Sequence, residues 1–505
     1  MDAIDETTTW PFDTEPEKNF LIEKIFTLKI FGYLDYESLR KAENVCVMWK
    51  KAIANGRLWE KLYGRNVQFI PDWGKMEQVL RLRNSALFPF PLKDGIEYHK
   101  EVSCQIGDTI KKLETNWSNG IHSGTNYSIN TTPSRKKAMK PVDFSMNQRW
   151  IARALPDGRI STRNRWAPEE EHFANLSPNN NIPINDGDQH PIIESIQFND
   201  EVLVAVGVVA TRKIVFIFEV KEQVESPLLR CSAWKVIENT EASDNLYRFD
   251  SKFCIRLKGD LLLLCGKKIA DLSTVVSLMN VRTKASIYKN YEVPSRIGQL
   301  TNFALDDWRV VLFFGRKETS RSSKMDRYLL QIRDSATFLL LRSFVLPIIH
   351  SDICHFDYSS GFVVTGSDDS PIRIWNATEG TCDGNFQHGC QNLSSLKTVA
   401  DRLILTCDGQ GIVKLWNMYA ALNPETRDDP SKVFLRTLDA PIPPYWSFRQ
   451  IKSLAMQADE FQIVLVLQYD TKSPQLYVMD FFSGGETHEE ECQRKTRQNC
   501  KRRRV

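Results

Sequence analysis

The sequence predicts an α+β multidomain protein, with an all-α N-terminal part and a larger all-β repeat assembly. Apolar residues recur three and four apart as far as about Gly120, the period of amphipathic helices. After Pro141, short β-branched and aromatic runs alternate with Gly, Asp, Asn and Ser turns. Two of these runs end in tryptophans, Trp375 and Trp416, which lie 41 residues apart. That spacing falls inside the ~40–45 residue period of four-stranded propeller blades.

The helical part centres on Phe20 to Tyr63. A first helix carries Leu21, Ile25, Leu28 and Ile30-Phe31, with charges at Glu23, Lys24 and Lys29. Tyr33-Leu34-Asp35 breaks it, and the Asp35 carboxylate is placed to accept from the free N–H groups of the next helix. A second helix repeats Leu39, Ala42, Cys46, Trp49 and Ile53 on one face and ends at Asn55-Gly56. A last turn carries Leu58-Trp59 and Leu62. A module below roughly 60 residues is marginal alone, and this one has more large apolar residues than a small core needs. One reading is an ordinary helical core; the other is a docking module completed by a partner helix.

Composition narrows the function classes. The chain has 505 residues and a net charge of +3, too small to argue for nucleic acid as a partner. The eleven cysteines form no C-x-x-C pair, and several sit in apolar runs, the usage of a reducing compartment. The acidic start, MDAIDETTTW, does not read as a signal peptide. The most apolar runs fall short of the ~18 residues a membrane span needs. A soluble protein of the cytoplasm, the nucleus or both is expected, with no membrane partner. No Gly-rich phosphate loop, H-E-x-x-H, G-x-S-x-G or Cys/His ligand spacing occurs. No catalytic residue, metal or cofactor is therefore expected.

In order, residues 1–18 read as a disordered N-terminus, 19–63 as the docking module and 64–120 as a helical linker. The linker has helices at Met76 to Arg83 and Ile106 to Trp117, interrupted by Phe88-Pro-Phe-Pro. Residues 121–483 read as the propeller and 484–505 as a charged disordered tail. The repeat units begin near Val142, Ile193, Phe253, Leu300, Ile353, Leu396 and Ile451. About seven units fit the 4–8 blades of propellers. His350, Asp369 and Trp375 fit a buried hydrogen-bond chain inside one blade. Pro168 to Gln189 reads as a polar insert between strands, and His122 to Thr132 as the strand that closes the last blade. The run Arg494 to Arg504 reads as a nuclear-import signal, a nucleic-acid contact or a solvated charged end.

Ile30-Phe31-x-Tyr33-Leu34-Asp35, Leu39, Val45-Cys46-x-x-Trp49 and Leu58-Trp59 together resemble an F-box. The Leu-Pro pair that usually opens an F-box aligns with Ile22-Glu23, so no proline stands there. The resemblance implies docking on the Skp adaptor and, through it, a cullin–RING complex. It assigns adaptor binding to Ile30, Phe31, Leu34, Val45, Cys46, Trp49, Leu58 and Trp59.

The units ending at Trp375 and Trp416 resemble WD repeats. Further stretches, ETNW at Glu114, WNMYAALNP at Trp416, FLRTL at Phe434 and DEFQIV at Asp459, are similar to the β-transducin-repeat-containing F-box family, in that family's order. The resemblance implies a non-catalytic substrate receptor of a Skp–cullin–F-box ubiquitin ligase, binding a protein substrate on the propeller top face. An adaptor-binding scaffold or competitor that delivers no substrate is the alternative. The family carries a dimerisation helix ahead of the F-box; only about 20 residues precede the box here, so a monomer is expected.

That family grips paired phosphoserines. Its first-blade tyrosine and arginine align with Val142 and Pro156, and its second-blade serines with Ile192 and Val208. Two further arginines align with Ser351 and Ser395, its sixth-blade tyrosine with Gly409, and only Lys452 keeps a cation. Lys452, Ser351 and Ser395 are therefore the candidate substrate contacts, and a ligand other than the doubly phosphorylated degron is expected.

Overall fold

The computed structural model of the protein describes residues 29–83, 96–128, 143–155, 158–166, 171–174, 192–209, 212–222, 227–236, 254–267, 274–293, 297–316, 327–346, 355–368, 370–390, 392–438, 451–469 and 475–483. The chain divides into two compact units, Met1–Thr115 and Asn116–Val505. Among the described residues no helix is long and apolar enough to cross a membrane.

The first unit is helical. Residues 29–32 form a turn of helix. It is followed by α1 (Tyr36–Glu43), α2 (Val47–Asn55), α3 (Leu58–Phe69) and α4 (Pro71–Arg83). α5 (Ile96–Asn119) runs past the boundary of the unit. Asp35 caps α1 as its position suggests, accepting from the Ser38 N–H at 2.7 Å. The single helix expected from Leu39 to Ile53 is instead two. Asn44 ends α1, and Cys46 in extended backbone caps α2, its sulfur accepting from Trp49 N–H at 3.5 Å. The break interrupts the expected stripe: Leu39, Ala42, Ala52 and Ile53 are buried, Trp49 is half-buried and Cys46 is exposed. Leu58, Trp59 and Leu62 of α3 complete that core. The Arg65 guanidinium donates to the Gly32 and Leu34 carbonyls at 2.8 and 3.1 Å, fixing the turn ahead of α1. α5 crosses α1 closely: a Cβ on Gly107 would sit 2.4 Å from the Tyr36 ring.

The second unit is a propeller of seven four-stranded antiparallel sheets. Its chain enters through β1 (Ser123–Ser128). Blade 1 holds β2 (Phe144–Met146), β3 (Trp150–Ala154), β4 (Ile160–Asn164) and β5 (Glu171–Ala174). Blade 2 holds β6 (Ile192–Phe198), β7 (Val202–Val209), β8 (Arg212–Glu222) and β9 (Pro227–Val236). Blade 3 holds β10 (Cys254–Lys258), β11 (Leu261–Lys267), β12 (Thr274–Asn280) and β13 (Ser286–Glu292). Blade 4 holds β14 (Gln299–Leu305), β15 (Arg309–Arg316), β16 (Arg327–Asp334) and β17 (Leu340–Leu346). Blade 5 holds β18 (His355–Ser359), β19 (Phe362–Ser367), β20 (Ser370–Asn376) and β21 (Cys382–Phe386). Blade 6 holds β22 (Leu393–Val399), β23 (Leu403–Asp408), β24 (Val413–Asn417) and β25 (Phe434–Leu438). Between β24 and β25 lie two short helices, α6 (Met418–Leu422) and α7 (Pro430–Val433). Blade 7 holds β26 (Ile451–Ala458), β27 (Gln462–Tyr469) and β28 (Gln475–Asp480), and β1 is its fourth strand.

β1 pairs antiparallel with β28, Ser123 opposite Asp480 and Ser128 opposite Gln475. This is the closure expected of His122 to Thr132, and it ties the two ends of the propeller together. Nearby, the Trp117 ring stacks on Phe481 at 3.7 Å and its indole N–H donates to the Glu460 carbonyl at 2.7 Å.

The middle two strands of each blade carry the apolar runs that make the units legible. Clusters of Val, Ile, Leu and Phe from β7, β8, β11, β15 and their neighbours fill the gaps between blades. The outermost strands, β17 excepted, do not show that pattern. β5 lies inside the stretch expected to be a polar insert, which corrects that reading. Glu171 on β5 makes the strand possible: it sits against the buried Arg153 guanidinium and accepts from Arg163 at 3.3 Å and from the Ser161 hydroxyl. Burial alone would raise the Glu171 carboxyl; the Ser161 hydrogen bond and the Arg153 charge outweigh it and hold the carboxyl below the usual range.

Candidate functional site

The helical unit carries a surface that its own core does not use. Ile30, Tyr33, Val45, Val47 and Met48 are each more than half exposed. They lie in the helical turn at 29–32 and the Tyr33 that follows it, in the α1–α2 connection and in the first turn of α2, at the chain breaks around Tyr33 and Cys46. Scattered single apolar residues on a surface mean little, but a run of large ones marks an interaction site. The surrounding side chains are charged: Arg40 pairs with Asp108 at 3.5 Å and Lys41 with Glu37 at 3.3 Å.

The structure divides the eight residues expected to bind the adaptor. Phe31, Leu58 and Trp59 are at most 5% exposed and belong to the core. Leu34 and Trp49 are half-buried, Trp49 meeting Phe31 edge-on at 4.9 Å. Ile30, Val45 and Cys46 face solvent. Tyr33, Val47 and Met48 share that exposure and were not singled out by sequence. Their signal was present: Val47-Met48 lies off the buried stripe of α2, which a soluble helix has no internal reason to make apolar.

From blade 1 to blade 7 the first strand of one blade lies next to the first strand of the next, as β18, β22 and β26 do. Carboxylates stitch these inner strands across blades. Asp143 accepts from the Ile196 N–H at 2.9 Å, and Asp357 accepts from the Thr398 N–H at 2.7 Å and the Thr398 hydroxyl at 2.8 Å. Burial pushes the Asp143 carboxyl up from its ordinary range. Ser395 lies on β22 opposite Cys407, and Lys452 on β26 opposite Gln468. Two of the three candidate substrate contacts thus occupy neighbouring inner strands. Ser351 lies outside the described residues, as do Val142 and Pro156. Lys397, two positions along β22 from Ser395, is spoken for by Asp357 at 3.4 Å.

Blades 5 and 6 share a buried polar device. The Trp375 and Trp416 indole N–H groups donate to Thr365 and Thr406 hydroxyls, both at 2.9 Å. His350 and Asp369, expected to extend this chain in blade 5, lie outside the described residues. In blade 6 the Cys390 thiol lies 3.5 Å from the Thr406 hydroxyl. His388 instead braces the β19–β20 turn, its Nε2–H shared between the Ser367 and Ser370 carbonyls at 2.9 and 3.1 Å and its Nδ1 accepting from Cys390 N–H. Every ring position is used for bracing. No group of three metal-ligating side chains occurs among the described residues.

A family model described as F-box-like matches residues 26–65. The chain is also 30% identical over 100 residues to F-box and WD repeat domain-containing 11-A of Danio rerio. That alignment takes in 18% of this chain and 17% of the relative, so only about a sixth of the relative's length is spanned. Among solved structures, the computationally designed Ika8 protein overlaps at a TM-score of 0.40 and 14% identity, over 68% of this chain and 98% of that one. The crystal structure of the Mitotic Checkpoint Complex overlaps at 0.40 and 11%, over 70% and 95%. Both overlaps are loose, and the propeller stands on its own strand order.

Proposed function

This chain is an F-box/WD-repeat protein, an F-box-like domain followed by a seven-bladed propeller, and from that premise we propose that it is the substrate-recognition subunit of a Skp–cullin–F-box ubiquitin ligase. The observation that carries the proposal is the exposed apolar surface within the matched F-box: Ile30, Tyr33, Val45, Val47 and Met48, flanked by Leu34, Cys46 and Trp49. Covered by an adaptor helix, these side chains supply the desolvated centre that interfaces rely on. Phe31, Leu58 and Trp59 hold that surface in shape from beneath.

The propeller is proposed to hold a protein substrate on the face reached from the inner strands, with Ser351, Ser395 and Lys452 among the contacts. The chain itself performs no chemistry in this reading. It raises the effective concentration of a substrate lysine beside the ubiquitin-loaded enzyme on the cullin arm, converting a bimolecular encounter into an intramolecular one.

Reconstitution tests it. Proteins captured by the full chain in cells with the proteasome inhibited are offered to the assembled ligase. Ubiquitin transfer to a captured protein that depends on an intact F-box is expected. Adaptor binding with no transfer to any of them would replace the receptor by a scaffold or competitor.

A further inference from the structure

A propeller ends each blade in an edge strand, and edges that are long, flat and apolar pair with other chains unless charge or proline protects them. Six of the seven outer strands here are short, polar, or interrupted by charge or proline. β1 reads SGTNYS, β5 EHFA, β13 SIYKNYE, β21 CDGNF and β25 FLRTL, while β9 starts at a proline and carries Arg230 and Lys235. β17 is different. It reads LLRSFVL, with Arg342 as its single charge. It pairs with β16 on one side and, among the described residues, with no strand on the other. Leu340, Leu341 and Val345 are 48%, 46% and 62% exposed.

The order of residues selects the occupant of that edge. In an antiparallel pair, opposite residues alternate between hydrogen-bonded and non-hydrogen-bonded sites. A two-fold axis returns each site to one of the same kind, so in a symmetric pair one residue must face its own copy. Centring on Arg342 would set two guanidinium groups against each other, which is unfavourable. Centring on Leu341 or Phe344 would set Arg342 opposite a leucine. Centring on Ser343 sets exposed Leu341 opposite exposed Val345 twice, while Phe344 and the 1% exposed Leu346 stay packed in their own propeller's core. Leu341, Ser343 and Val345 share one face by strand alternation, so the seam carries an apolar pair on each side of two facing hydroxyls.

We infer that β17 is a self-association edge: two copies of this chain pair β17 to β17, antiparallel, about an axis at Ser343. The pattern is its own complement, which an edge evolved for an unrelated peptide has no reason to be. The monomer expectation concerned a helix ahead of the F-box; this pairing draws on a different part of the chain.

Sedimentation of the full chain over a concentration series tests the inference. Reversible dimerisation is expected, weakened about tenfold or more by Val345→Lys, which removes both Leu–Val cross-strand pairs, and by Ser343→Lys, which places like charges on the axis. All these positions are exposed, and unchanged melting of each variant confirms that folding is intact. A second readout fixes register: under oxidation Ser343→Cys gives a 343–343 linked peptide by mass spectrometry, whereas Leu341→Cys links across the axis only when Val345→Cys is also present, giving a 341–345 peptide. A chain that stays monomeric at every concentration overturns the inference. So does a dimer indifferent to Val345→Lys, or a β17 edge protected only by a different protein.

Discussion

The Arg165 guanidinium grips Asp459 with two hydrogen bonds, 2.6 and 2.9 Å long, and its side chain is completely buried. Arg165 follows β4 in blade 1, and Asp459 lies in the turn between β26 and β27 of blade 7. The same guanidinium donates to Gln462 Oε1 at 3.0 Å and to the Asn147 carbonyl at 2.6 Å. The first and last blades are thus joined by a charged fork as well as by β1. Removing one partner of a buried pair costs more than the pair is worth, because the other is stranded. Arg165→Met is expected to destabilise the propeller by about 3 kcal/mol, the low end for such a loss, since Asp459 keeps some contact with water. Adding Asp459→Asn should recover part of it in a double-mutant cycle of denaturation midpoints. Additive losses would show that the fork is not the coupling.

His355 gives the propeller a pH dependence of definite sign. It lies on β18, and its Nε2–H donates to the Leu393 carbonyl on β22. Burial pushes the imidazole below its ordinary value, outweighing that carbonyl. The unfolded chain therefore takes up the proton first as pH falls through about 6.5, and stability drains away from there toward the lower folded value. Above that range the ring contributes no slope. Melting temperature measured from pH 7.5 down to pH 5.5 (about one unit either side of that value) should fall more for the wild type than for His355→Gln. Parallel curves would contradict it.

The propeller is expected to bind a doubly phosphorylated Asp-Ser-Gly-type peptide weakly. Such a ligand brings three to four negative charges, and bidentate arginine contacts supply much of the grip on it. At the aligned positions stand Pro156, Ser351 and Ser395, with Lys452 the remaining cation; lysine lacks the planar fork. Lys397 is paired with Asp357. Titration with phosphorylated and unphosphorylated peptide distinguishes the outcomes: no phosphate-dependent submicromolar binding is expected, and its presence would overturn the residue assignment.

The tail from Arg494 to Arg504 lies outside the described residues, and its role is argued from composition. Seven Lys and Arg in eleven residues suit capture by acidic pockets of an import receptor. Deleting Gln493 to Val505 should shift a tagged copy toward the cytoplasm. An unchanged nuclear fraction would leave the tail as a solvated charged end.

What the sequence made legible follows from burial. The middle strands of each blade pack on both faces, so their apolar runs announced the units. The outer strands meet solvent, and β5, held by Glu171 against Arg153, carried no apolar signal at all. The closing strand at Ser123–Ser128 was found by topology, because the last blade needed a fourth strand. In the F-box, Asp35 was readable as a cap because a carboxylate there has one obvious use. The break at Asn44 was not, since neither glycine nor proline marks it. Buried Phe31 and exposed Ile30 are adjacent and equally apolar; only the turn of the backbone decides which faces water.

Affinity for the Skp adaptor tests the central claim most directly. Val45→Lys and Met48→Lys change exposed side chains and leave the core of Leu39, Ile53 and Trp59 untouched. Truncating the Ile30 and Leu34 side chains to alanine together removes apolar contact without adding charge. Calorimetry with purified adaptor and the full chain is expected to show tight binding by the wild type. Each of these variants should lose about 2 kcal/mol or more, roughly thirtyfold, as central interface residues do. A wild-type chain that fails to bind the adaptor, or variants that bind it as well as the wild type, would contradict the account.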